Sequence, residues 1–403
     1  MKKRMLFRFL ILFQLVLVSI GCTLKSSGEE SREIVIAVWN VQNLFDAIEN
    51  GNEYPEFHES AGWTQEKYLA RLNAISQAIM GMIPQNAPSS GREDPPARAE
   101  SSARAGTAAL PALIGFTEVE NLSVLESLSG GYLSKHGYNW IAFSANPGSP
   151  IGLGFISRYP ISEVRAHSIT INGETSPRPV LEIRVEASGN PMGLTAGASI
   201  REPIVFLLCH WKSKVGGDEA TAALRRASAR VVHRRLQELR EEDPGMAVIV
   251  MGDLNENHDE FSRLRSFSAL LEDDPDAALI ANATPVPNAP VVSSPVFRDF
   301  LVLSSERPPA AYFFNDDVYP LYSPWFYDIE EEGTYYYRDS WETIDHFLLN
   351  ENLFTGHGWE YSGSSVVNHY PFTSSQGIPN RYNPQSGRGL SDHLPLLLFL
   401  YYR

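Results

Sequence analysis

Gly252-Asp253-Leu254-Asn255 sets an acid and an amide two residues apart, just past the apolar run 246–251. A tight turn there aims both side chains at one spot. A carboxylate so placed can take a proton from water, and an amide can hold that water or a phosphoryl oxygen. Four further groups end or closely flank apolar runs: Trp39-Asn40, Thr117-Glu118, His210-Trp211 and Asp392-His393. Polar side chains gathered at strand ends are how an α/β protein assembles a site.

Each residue type suits a part of one reaction. Glu118 follows a strand-like run, where a carboxylate suits a hard cation such as Mg²⁺, with waters and substrate phosphate as the remaining ligands. Glu120 falls on the same side by alternation and equally suits a helix cap. Asn40 is a neutral amide that can orient a phosphate oxygen or a metal-bound water, whereas Asn43 and Asp46 read as turn formers. His210 leaves a strand and can donate a proton or hold a phosphoryl oxygen. The functional reading does not extend to Lys212 or Lys214 beyond it. Asp345, inside the run 343–349, is a buried carboxylate able to orient an imidazole. Asp392 can reach a metal while His393 meets the phosphate and leans on Asp345.

The elements that position these residues follow from apolar periodicity. Strands are expected at 34–40, 113–116, 140–143, 151–157, 178–186, 204–209, 246–251, 297–303, 343–349 and 396–402. Thr64 opens a helix with Tyr68, Leu72, Ile75, Ile79 and Met82 on one face. A second helix at 219–241 turns Leu224, Ala227, Val231, Val232, Leu236 and Leu239 inward and leaves its many arginines on a solvated face. Residues 84–111, rich in Pro, Ala, Ser, Gly and Arg, read as an exposed, disordered insertion. The region 312–341 is crowded with aromatics and reads as a long loop packing over the sandwich edge. Its acids discourage a polyanion, and Arg338 is the one cation there that could reach the site. Strands separated by a few helices indicate a layered α/β domain, and 34–403 reads as one.

Composition sets the frame. The 403 residues are 43% hydrophobic and 20% charged, with a formal charge of -15. That charge argues against broad electrostatic binding to nucleic acid, although a local basic groove survives any net charge. Residues 1–21 are basic, then apolar, with small residues before Cys22. They read as a lipoprotein-type export signal, with lipidation at Cys22 and a polar tether at 22–33. The protein is then expected to be exported and lipid-anchored to a bacterial membrane. The second cysteine, Cys209, lies in a strand-like run and reads as a small buried hydrophobe.

Taken in order, Trp39-Asn40, Glu118, Ser157-Arg158-Tyr159-Pro160-Ile161, His210, Gly252-Asp253-Leu254-Asn255, Ile344-Asp345 and Ser391-Asp392-His393 resemble the endonuclease/exonuclease/phosphatase superfamily. Asn40 to Asp46 and Trp211-Lys212-Ser213-Lys214 look most like its exported bacterial branch. The resemblance implies a four-layer sandwich, two mixed β-sheets face to face with helices on both outer faces. It implies phosphoester hydrolysis assisted by Mg²⁺, with Mn²⁺ or Ca²⁺ as substitutes. Glu118 would be the principal metal ligand, helped by Asn40 and Asp392. Asp253 would position and deprotonate water, Asn255 would bind phosphate, and His393, oriented by Asp345, would stabilise developing charge. His210 would be a second phosphate contact or the acid for the leaving group. Abasic-site endonucleases typically have Tyr there, so His210 looks closer to the deoxyribonuclease I and sphingomyelinase branches. The base stays open between Asp253 and His393. The expected function is an exported phosphodiesterase or nuclease. The alternatives are a lipid or small-organophosphate phosphoesterase, sphingomyelinase-like or inositol phosphatase-like, and a non-catalytic surface lipoprotein.

Overall fold

Alternation explains the architecture. In the strand at Ile204–His210, Ile204, Phe206 and Leu208 face one buried layer while Val205, Leu207 and Cys209 face another. Such a strand is apolar on both sides because both faces are covered, and its sequence reads as a continuous run.

The computed structural model describes residues 33–83, 110–171, 173–186, 202–264, 301–308 and 319–403. The expected export signal, Cys22, nearly all of the 84–111 insertion, the start of the 297–303 strand and residues 312–318 lie outside these. The first half of the chain gives β1 (Glu33–Leu44), α1 (Gln65–Met80), β2 (Leu113–Val119), α2 (Leu122–Leu128), β3 (Trp140–Ser144), β4 (Gly152–Ser157) and β5 (Ile161–His167). Two short strands, β6 (Thr170–Ile171) and β7 (Glu174–Thr175), precede β8 (Val180–Val185), β9 (Ile204–His210), α3 (Asp218–Glu242) and β10 (Ala247–Asp253). Then come β11 (Ser262–Leu264), β12 (Val302–Ser304), β13 (Pro320–Tyr322), β14 (Tyr335–Tyr337), β15 (Ser340–Glu342), β16 (Asp345–Leu349), β17 (Trp359–Val366) and β18 (Leu396–Tyr402).

One sheet has six strands in the order β17-β18-β1-β2-β4-β3, and the other has eight in the order β11-β12-β13-β16-β10-β9-β8-β5. Both are mixed: β1 runs parallel to β2, which is antiparallel to β4, and β10 runs parallel to β9 and antiparallel to β16. One core fills the space between the sheets and extends beneath α1; a second lies between the eight-stranded sheet and α3. The four-layer sandwich is therefore the observed fold. Thr64 caps α1 by accepting from the Lys67 N–H, and Asn121 caps α2 by accepting from that of Val124. The sheets approach so closely at Gly115 that a Cβ there would sit 2.8 Å from Met251 Cε. On the opposite face of the same sheet a Cβ at Gly154 would collide with Leu125 of α2.

Two expectations are corrected. The arginines of α3 are not all solvated: Arg225 and Arg235 are 2% and 3% exposed. Arg225 pairs with Glu256 and Asp218, and Arg235 with Glu182 of β8 and with Glu242. Each is a buried charge held by carboxylates, and neither is available to an outside polyanion. The described part of the aromatic region is not loop throughout either. It contains β13 within the eight-stranded sheet and the β14–β15 hairpin. Cys209 is fully buried, as expected, and burial pushes its thiol up to about 12.

Candidate active site

Register brings the site together. On the eight-stranded sheet Asp253, the last residue of β10, lies opposite His210 at the end of β9 and opposite Asp345 at the start of β16. Three functional side chains thus occupy one row across three adjacent strands. On the other sheet Asn40 of β1 lies opposite Thr117 of β2. Glu118 follows in a bulge, at φ 67°, where the register of β2 shifts against both neighbours. A left-handed residue in a bulge re-aims its side chain, and a non-glycine adopts it only where the surroundings impose it. Gly252 explains the first motif. Its φ is 131°, and a Cβ would fall 1.9 Å from the Cys209 carbonyl oxygen, so only glycine lets β10 pass β9 there.

Asn40 joins the two rows. Its Nδ2 donates to Glu118 Oε1 at 3.2 Å and to Asp253 Oδ2 at 3.1 Å. Its Oδ1 accepts the Gln42 N–H at 2.9 Å. Asn40 is thus a hydrogen-bonding bridge between the two acids, and its Oδ1 keeps a second lone pair beside the Gln42 N–H. Asn43 adds its N–H to Glu118 Oε2 at 2.9 Å, so Glu118 is fixed at both oxygens. Arg71 of α1, 2% exposed, donates to the carbonyls of Val41, Gln42 and Asn43 and holds the backbone that presents that N–H.

Asp345 Oδ2 accepts from His393 Nδ1 at 2.7 Å and from Thr334 Oγ1 at 2.6 Å. His393 Nε2 then lies 4.0 Å from Asp253 Oδ2. Burial opposes charge on His393, but Asp345 overcomes it, by its charge and its hydrogen bond, and the imidazole is raised to about 10. The Asp345 contact therefore favours the protonated imidazole. Burial pushes Asp253 up to about 7; His393 opposes the rise, while the charges of Asp345 and Glu118 add to it. His210 Nε2 lies 3.7 Å from Glu118 Oε1 and 3.6 Å from Asp253 Oδ2. Burial, then the positive charges of Arg178, His393 and Lys212, hold it well below the usual imidazole range. A neutral His210 donates one hydrogen bond, which suits a phosphate contact better than proton delivery.

Asn255 sits at φ 51° with its N–H on Asp253 Oδ1 at 3.0 Å and its Nδ2 on the Trp211 carbonyl at 3.1 Å. The second hydrogen of Nδ2 remains for a substrate oxygen. Asp392 accepts from Arg381 Nη2 at 3.0 Å. Glu120 is neither cap nor site residue: it accepts the Asp46 N–H at 2.6 Å and Asn50 Nδ2 at 3.1 Å. Arg338 caps the β14–β15 hairpin, its guanidinium over the Tyr337 ring.

A hard cation fits this donor set. Glu118 is raised by burial and by the nearby charge of Asp392, so two carboxylates crowd a poorly solvated place that a cation would neutralise. The ligating atoms of Asp253, Asp345 and His393 also lie within 4.8 Å of one another. Within that trio His393 Nδ1 is already engaged by Asp345 Oδ2 at 2.7 Å, which leaves its Nε2 and the Asp253 carboxylate facing each other at 4.0 Å. Sequence reasoning missed Thr334, Arg71 and Arg178. Arg178 is half-buried just before β8, donates to the Trp211 carbonyl at 3.0 Å, and lowers Glu118 and His210 by its charge. Its signal was available, because an antiparallel neighbour of β9 must begin where β9 ends.

A sequence profile for the endonuclease/exonuclease/phosphatase family matches residues 98–299. No curated protein matches the chain. Among solved structures, an endonuclease/exonuclease/phosphatase family protein from Bacteroides thetaiotaomicron is 12% identical, covering 93% of this chain and 99% of its own, at a TM-score of 0.45. Truncated TDP2 from Caenorhabditis elegans is 11% identical over 92% and 97%, at 0.46. The human Nocturnin catalytic domain with bound sulfate is 13% identical over 92% and 94%, at 0.42.

Proposed function

The chain belongs to the endonuclease/exonuclease/phosphatase family, and from that premise we propose that it is a divalent-metal-dependent phosphodiesterase. The observation that carries this is the row of His210, Asp253 and Asp345 across three strand ends, facing Asn40 and Glu118 and closed by His393. Glu118 would hold Mg²⁺, with Asp392 turning from the exposed Arg381 to assist. The cation supplies Lewis-acid polarisation and charge neutralisation at phosphorus. Asp253, once ionised, accepts the proton of the attacking water. His393, kept protonated by Asp345, donates to a phosphoryl oxygen on which charge develops. Neutral His210 and the free N–H of Asn255 hold the non-bridging oxygens, and Arg178 adds positive charge on the same side.

Export and lipid anchoring through Cys22 belong to the same proposal, supported by the basic, apolar and small-residue order of 1–22. The test of function is a panel of plasmid DNA, RNA, sphingomyelin, inositol phosphates and bis-p-nitrophenyl phosphate, with Mg²⁺ and with chelator. Metal-dependent turnover of a diester supports the reading; turnover of monoesters alone contradicts it.

A further inference from the structure

Beside His393 stands a structure that the reaction above does not use. β14 and β15 pair as an antiparallel hairpin, with Tyr337 opposite Ser340 and only Arg338 and Asp339 between them. Both turn residues are left-handed, at φ 49° and 64°, which is the backbone of a two-residue turn that matches strand twist and holds its tip rigidly. Neither is glycine, so the shape is imposed at a cost in strain. Alternation puts Tyr335 and Tyr337 on one face and Tyr336 on the other, where it packs edge-on against Trp341 at 5.2 Å.

The first face is anchored to the catalytic centre. Tyr335 bridges to His393 through the backbone, and the two rings stack with centroids 4.5 Å apart and planes at 29°. Tyr337 continues the series, 6.1 Å from Tyr335 and 15° from parallel with it. Tyr337 is 46% exposed, and the Arg338 guanidinium lies over its ring 5.1 Å from the centroid. Two tyrosine rings therefore run outward from the imidazole, and the last is open to solvent. A flat ring can stack on the Arg338 guanidinium plane or take its place over the exposed Tyr337 ring, with sequence-tolerant affinity from stacking.

We propose that this hairpin is a nucleobase subsite, and that the substrate is a phosphodiester bearing an unpaired base next to the scissile phosphorus. The proposal rests on the phosphodiesterase reading. The rings step outward from His393 to Tyr335 at 4.5 Å and from Tyr335 to Tyr337 at 6.1 Å, so a group stacked at Tyr337 lies beside, and not on, the scissile phosphorus. A duplex keeps its bases stacked and paired and offers no free face. The acids Asp328, Glu330, Glu331 and Glu332, close in sequence before the hairpin, and a net charge of -15 also favour a short, weakly charged ligand over long polyanions.

The test compares two diesters with one leaving group, thymidine 5′-(p-nitrophenyl phosphate) and methyl p-nitrophenyl phosphate, by release of p-nitrophenolate. The wild-type protein is expected to favour the nucleoside diester in kcat/KM by roughly tenfold or more. Tyr337→Ala should bring the two substrates within about threefold of each other, chiefly through KM, and Tyr337→Phe should restore the preference, since the ring and not the hydroxyl stacks. A wild-type protein without preference, or Tyr337→Ala retaining it, overturns the subsite. If neither diester turns over, the phosphodiesterase reading fails separately. Calorimetric titration of thymidine 5′-monophosphate with Mg²⁺ then decides the subsite: wild-type binding about fivefold or more tighter than Tyr337→Ala supports it, and equal binding overturns it.

Discussion

Nδ2 of Asn40, on the six-stranded sheet, donates at 3.1 Å to Oδ2 of Asp253 on the eight-stranded sheet. The same nitrogen donates to Glu118, so one uncharged amide holds two acids from facing sheets at a fixed separation. An acid in its place would face both carboxylates as a third negative charge. Asn40→Asp is therefore expected to push Asp253 and Glu118 further up and to move the acid limb of kcat/KM to higher pH. It should also lower kcat/KM by roughly 100-fold, the usual scale for losing one buried donor at a reacting centre. A variant with the wild-type pH profile would count against the bridge.

Asp345 and His393 give a prediction about stability. The His393 imidazole is raised to about 10 in the folded chain, above its unfolded value of 6.5. A base with a raised folded pKa adds stability that is complete below the unfolded value and disappears as pH rises through the folded one. The benefit should thus be whole below about pH 6.5 and lost towards pH 10. Asp345→Asn removes its cause. The Tm gap between wild type and Asp345→Asn, followed by circular dichroism, is expected to be largest at pH 6 and to narrow towards pH 10. A gap that does not change with pH would mean the pair is not held as carboxylate and imidazolium.

Arg71 acts on Glu118 through Asn43. Its guanidinium stacks 3.7 Å from the Tyr382 ring centroid and fastens three consecutive carbonyls, including those of Gln42 and Asn43 at φ 50° and 57°. Lysine keeps the charge but has no planar fork to span them. Arg71→Lys is expected to raise the Mg²⁺ concentration for half-maximal activity by roughly tenfold, the range seen when groups behind a ligand are lost, with a smaller effect on kcat. An unchanged Mg²⁺ requirement would make Arg71 a purely structural residue.

Much of this site was legible because its supports are strands buried on both faces. The runs ending at His210 and Asp253 are unbroken apolar stretches, and their ends mark the site. Other parts were hidden for definite reasons. β5 is an edge strand, mostly exposed, and lacks an apolar run. β14 and β15 turn on Arg338-Asp339, where the usual Asn-Gly signal is absent, so their aromatics read as loop. Arg225 and Arg235 looked like solvated helix residues because Glu256 and Glu182, which bury them, lie 31 and 53 positions away. Arg71 was invisible for the same reason: its partners are backbone carbonyls, which no side-chain motif announces.

The central claim is that Asp253 and His393 perform phosphodiester hydrolysis together. Its most direct test is the Mg²⁺-dependent hydrolysis of bis-p-nitrophenyl phosphate by wild type, Asp253→Asn, His393→Ala and the double variant, each checked for folding by circular dichroism. Both variants are expected to be folded and to lose about 10³-fold or more in kcat/KM, with the double variant little worse than either, because the residues act as a unit. Folded variants that keep activity within about tenfold of wild type would contradict the account.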